Sequence, residues 1–210
     1  MKRTEKMPTR DVLKLFFITA ACLIFAGFAW SGQNRKAAPD DSPDQTKEQL
    51  SKAAFSEAYK VFMSPRCANC HPAGDVPTQT DAMTLHTQNV VRGAEGKGRY
   101  GMKCATCHQL ENLDGEHLPP GVSTGWHMPP ADMKMVFQGR TAHELCEQFK
   151  DPKQNGGKKT LAAAMEHLEA DPLVLWGWSP GNGRTVPPLS HEEFMKNIKA
   201  WMENGAACPD

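Results

Sequence analysis

A chain of 210 residues with 24 lysines and arginines against 24 aspartates and glutamates carries no formal net charge when its histidines are neutral. It lacks the basic excess that a nucleic-acid binder normally shows. Seventeen glycines, sixteen prolines and two tyrosines describe a turn-rich chain with a modest apolar supply, enough for one domain and an N-terminal appendage, and one whose core needs filling by more than side chains.

Lys2, Arg3, Lys6, Arg10 and Lys14 precede an uncharged apolar run over residues 15–30, the layout of an export signal. The run is long for a cleaved signal and short for a comfortable span, so residues 1–31 read as a signal peptide or an N-terminal membrane anchor. Ala29-Trp30-Ser31 offers a small-x-small cleavage site, while Trp30 and Lys14 sit where interfacial anchors sit. Cys22 lies inside the run, where it reads as a small apolar residue; a lipoprotein cysteine would end the run. Either outcome puts the remainder outside the cytoplasm, in a periplasmic compartment, tethered to the membrane if residues 15–30 are retained.

Residues 32–47 are polar and rich in Pro, Asp, Gln and Ser, a flexible linker to a domain over residues 48–210. Leu50, Ala54, Ala58, Val61 and Phe62, flanked by Phe55 and Tyr59, predict a helix from about Glu48 that Pro65 stops. Residues 66–130 show no sustained helical or strand period and are dense in Gly, Pro and His, so they need an organiser. A short helix is predicted over residues 131–138, with Met133, Val136 and Phe137 on one side. Thr141 with Glu144 forms a capping box for a helix to about Lys150, and a further helix is predicted over residues 161–170. Ser190 with Glu193 opens the clearest helix, with Phe194, Ile198, Trp201 and Met202 on one face and Gly205 as its C-terminal cap. The fold class is mainly α, loop-rich, with short helices.

Cys67-Ala68-Asn69-Cys70-His71 and Cys104-Ala105-Thr106-Cys107-His108 are both C-x-x-C-H, the c-type haem attachment signature. The spacing lets two thiols form thioethers with one macrocycle while the adjacent histidine ligates iron from the proximal side. A C-x-x-C pair alone would equally suit a thioredoxin-like redox site or half a zinc site. A histidine after both pairs, behind an export signal, favours two covalent haems c, which would also fill the core. The fold class is then a loop-rich two-haem cytochrome c domain.

A longer resemblance rests on three stretches. These are residues 101–108, Trp126-His127-Met128-Pro129-Pro130, and residues 171–181, which run Asp-Pro-Leu-Val-Leu-Trp-Gly-Trp-Ser-Pro-Gly. They resemble a bacterial family of small exported cytochromes labelled isoquinoline 1-oxidoreductase subunits. That resemblance spans most of residues 60–208 and implies an electron acceptor for a molybdenum hydroxylase.

Each iron would have a distal position, and its occupant separates a carrier from a catalyst. His86 and His127 lie in the loop-built region about fifteen to twenty residues past a motif, and are the candidate distal ligands. Met83, Met102 and Met128 compete as thioether donors. His117, His143, His167 and His191 read as surface or hydrogen-bonded side chains. Cys146 and Cys208 are left outside the motifs, and in an oxidising compartment they predict a disulfide. The expected function is electron transfer between redox partners, such as a molybdenum hydroxylase or a respiratory enzyme. The alternatives are a haem enzyme, such as a two-haem peroxidase with one open iron, and a gas-binding sensor.

Overall fold

A computed structural model describes residues 43–210. The segment 1–31, its apolar run 15–30 with Cys22, and linker residues 32–42 lie outside the described residues. Among the described residues no helix is long and apolar enough to cross a membrane.

The fold is helix-rich with a few very short strands. Helix α1 (Pro43–Phe62) is followed by the single turn α2 (Pro65–Ala68). Two small antiparallel hairpins come next, pairing β1 (Thr78–Gln79) with β2 (Thr84–Leu85) and β3 (Gly98–Arg99) with β4 (Met102–Lys103). Helices α3 (Ala142–Lys150), α4 (Leu161–Ala170), α5 (Pro172–Leu175) and α6 (His191–Glu203) complete the domain.

The core lies where α1, α3 and α6 meet. Phe55, Ala58, Val61 and Phe62 of α1 are fully buried with Leu145, Phe194 and Ile198. Phe62 touches Phe149 at 4.7 Å and Phe194 at 5.2 Å between ring centroids, and Phe55 touches Trp201 at 5.0 Å. Each such pair adds about 0.5–1.5 kcal/mol beyond the area it buries. Cys146 on α3 and Cys208 beyond α6 form the expected disulfide, with Cα atoms 5.5 Å apart and a sequence separation of 62.

Both capping boxes form: Thr141 and Ser190 accept from the backbone of Glu144 and Glu193, whose carboxylates reach back. Past α6, Gly205 N–H donates to Met202 C=O and Ala206 N–H to Trp201 C=O. This double bond pattern needs a left-handed residue, which Gly205 supplies with φ 98°.

Three local expectations need correction. Helix α1 begins at Pro43, five residues before Glu48, because proline is well suited to the first helical position and the following exposed polar residues carry no apolar period to betray a helix. Leu50 is 54 % exposed and does not belong to the buried stripe; Ser51 takes its place. The Ser51 hydroxyl donates to Trp201 C=O (2.8 Å) and accepts from Ala207 N–H (2.9 Å), tying α1 to the C-terminal turn. Residues 131–138 form no helix. The N–H groups of Phe137 and Gln138 donate instead to His71 C=O, and Met135 is left-handed with φ 43°. The segment is used as a strap across the first motif.

Candidate functional site

The first motif is wound on a helical turn. Pro65 opens α2, and N–H groups of Cys67, Cys70 and His71 donate back to Ser64, Cys67 and Ala68 carbonyls. Cys67 and Cys70 thus sit three residues apart on one face, with His71 following. Burial pushes the Cys67 thiol up to about 11 and the Cys70 thiol up to about 12. Burial also pushes His71 down to about 4, keeping the ring neutral. Its Nδ1 lies 2.7 Å from Met135 C=O, and since a carbonyl only accepts, the proton is on Nδ1. Nε2 therefore keeps its lone pair. The ring stacks on Phe137 at 3.9 Å.

The second motif repeats this pattern on a different support. The β3–β4 hairpin, turned through left-handed Gly101 (φ 86°), delivers a 3₁₀ turn over Cys104–Thr106. Cys107 and His108 N–H both donate to Cys104 C=O. His108 Nδ1–H donates to Pro120 C=O at 2.7 Å, again leaving Nε2 free, and burial lowers the pKa of the ring. His108 stacks parallel on Trp126 at 4.8 Å, and Trp126 meets Trp176 edge-on at 4.7 Å.

His86 comes to the second motif. Its ring centroid is 6.3 Å from that of His108, and its Nδ1–H donates to Thr87 C=O. The support comes from the first motif: Asn69 accepts from the Thr78 hydroxyl and donates to Thr80 C=O, holding the β1–β2 hairpin that precedes His86. Arg66 pairs with Asp81 on the same hairpin.

His127 comes to the first motif. It lines a cavity of about 250 Å³ together with Cys67, His71, Met128 and His167. His127 Nδ1–H donates to Gly125 C=O, two residues back. Met128 is buried in the same wall, whereas Met83 is 41 % exposed. His143, His191 and His117 stand apart: His143 donates to Pro209 C=O, His191 to Leu168 C=O, and His117 abuts Gly183.

Residues not singled out from the sequence also belong here. Arg66 and Arg92 are buried, and each leaves its Nε without a hydrogen-bond partner. Arg92 Nε is 3.5 Å from Asp75 Oδ1 but lacks hydrogen-bond geometry, while its other nitrogens donate to Pro129 and Gly74 carbonyls. Arg66 lines the cavity. A buried guanidinium with a spare N–H is a receptor for an anionic group.

Cys67, Cys70, Cys104 and Cys107 are all unpaired, in contrast to Cys146 and Cys208. Among the described residues no three His, Cys, Asp or Glu side chains converge as a metal-ion site, so the two C-x-x-C pairs do not gather into one four-cysteine donor set. Comparison with protein-family models, with curated proteins and with solved structures returned no match.

Proposed function

We propose that the chain carries two covalently attached haems c and transfers electrons between redox partners outside the cytoplasm, without catalysing a reaction of its own. The observation that carries this reading is the repeated local chemistry: in both motifs two unpaired thiols stand beside a histidine whose Nδ1–H is fixed on a backbone carbonyl at 2.7 Å. That bond fixes the tautomer, orients the ring and leaves Nε2 as a ligand. Haem iron would supply one-electron chemistry there.

The chain's residues fit such a group. Each thiol would add its sulfur and proton across a vinyl double bond, forming one C–S and one C–H bond with no net oxidation. At the second motif the 6.3 Å between His86 and His108 suits bis-histidine ligation, since two rings on opposite sides of one metal, each bonded at about 2 Å, have centroids roughly 6 Å apart. At the first motif the apolar cavity lies beside Cys67 and His71, and the unsatisfied Arg66 Nε suits a carboxylate edge. The Cys104 thiol lies close enough to Cys70 to help push the Cys70 thiol up, and proximity of the two motifs favours electron exchange between the sites. The Cys146–Cys208 disulfide accords with an oxidising, periplasmic compartment. The partner is a second redox protein: a molybdenum hydroxylase, which the family resemblance implies, or a respiratory enzyme.

Denaturing mass spectrometry of the chain matured with haem-attachment machinery tests the reading. Two haem masses should remain on the polypeptide, and the native spectrum should ignore carbon monoxide. A bare polypeptide mass would sink it, and an iron that binds carbon monoxide and turns over peroxide would replace the carrier with an enzyme.

A further inference from the structure

We propose that His167, oriented by Asp171, is the distal ligand of the iron held by His71. The inference rests on the two-haem reading and deepens it, because the sequence pointed to His127.

Both histidines line the cavity beside His71, and their supports differ. His127 sits in a loop, and the carbonyl that accepts its Nδ1–H lies two residues back in that same loop, so its ring is oriented by the loop alone. His167 sits on α4, whose first turn is capped by the Thr160 side chain and whose Ala164 and Leu168 are buried. A ligand on a helix is held more firmly than one on a loop.

The second-sphere chemistry also points to His167. Its Nδ1 lies 3.1 Å from Asp171 Oδ2, an arrangement in which a carboxylate fixes the tautomer and raises the basicity of the nitrogen that faces the metal. The carboxylate is itself pinned: its other oxygen accepts from Leu173 N–H at 2.8 Å and caps α5. Asp171 thus joins α4 to α5 and aims His167 with the same group. The two motif histidines would then have matching partners, His86 for one and His167 for the other.

An ionised Asp171 on the distal imidazole favours the oxidised iron and lowers its potential. Asp171→Asn keeps an oxygen to cap Leu173 but offers His167 Nδ1–H no charged acceptor. It should raise the midpoint potential of one haem and leave the other in place. His167→Ala should give one high-spin, carbon monoxide-binding haem of the two, restored to low spin by added imidazole. His167→Met should yield a Met-ligated near-infrared band at one iron with a raised potential.

Several outcomes overturn the proposal while two haems remain on the chain by mass. One is His127→Ala opening an iron while His167→Ala leaves both low-spin. Another is a Met-ligation band in the native protein, which would point to Met128. Should His167→Ala fail to hold its haem, Asp171→Asn decides: two unchanged potentials refute the assignment. Absence of haem from the native chain would instead remove the underlying reading.

Discussion

Replacing both Cys146 and Cys208 by alanine tests how the C-terminal segment is held. The bridge closes a loop of 62 residues in sequence, and the chain-entropy relation gives about 4 kcal/mol at 25 °C for a loop of that size. The folded state should keep its shape without the bridge. The segment stays attached through Ser51 and Ala207, through Trp201 Nε1–H on Ala207 C=O at 3.1 Å, and through His143 on Pro209 C=O at 2.7 Å. The loss therefore arises in the unfolded chain, which becomes freer. Guanidinium unfolding of the double variant beside the parent protein, followed by circular dichroism, should show a stability lower by about 3–4 kcal/mol. The slope with denaturant should steepen, because an uncrosslinked unfolded chain exposes more surface. A difference below about 1 kcal/mol with an unchanged slope would refute the entropic account.

Cys104→Ala/Cys107→Ala should lower the retained haem count from two to one by denaturing mass spectrometry, because the first motif has its own thiols and histidine. Phe62→Ala removes a side chain that contacts Phe137, Phe149 and Phe194 in the core, and should cost about 3–5 kcal/mol by denaturant titration. Ser190→Ala removes the cap of α6 and should cost about 1 kcal/mol. Glu144 and Glu193 are held below their ordinary 4.5 by hydrogen bonds from Thr141 and Ser190. Stability from these boxes is therefore present above about pH 4.5 and lost as pH falls through the lowered values. Glu144→Gln/Glu193→Gln should flatten that part of an acid titration followed by helical ellipticity, and an unchanged acid limb would exclude the boxes as its source.

What could be read from the sequence was what local chemistry decides. The helices after Thr141 and Ser190 are legible because their caps and apolar stripes sit within a few residues of one another. The disulfide is legible because Cys146 and Cys208 are the two cysteines outside both the motifs and the N-terminal apolar run that holds Cys22. Residues 131–138 misled because their apolar spacing satisfies a helix, yet the N–H groups of Phe137 and Gln138 are claimed by His71 C=O, a partner more than sixty residues away. Ser51 was hidden for a related reason: a buried hydroxyl is stable only where distant backbone groups use both its donor and acceptor, here Trp201 and Ala207.

The loop-built region yields to the same argument. Its candidate ligands could be named by residue type but not sorted between motifs, since sorting depends on which hairpin or helix carries each ring. His86 reaches the second motif because Asn69, between the two cysteines of the first motif, anchors the hairpin before it. The first motif thus helps to build the second site. A helical histidine such as His167 ordinarily reads as surface, but a carboxylate four residues on, at Asp171, lies on the same helix face. Histidine followed at that spacing by an acid that caps the next helix was the available signal. A serine at 171 would keep a cap for α5 while removing the carboxylate, so α5 should survive Asp171→Ser with the orientation of His167 lost.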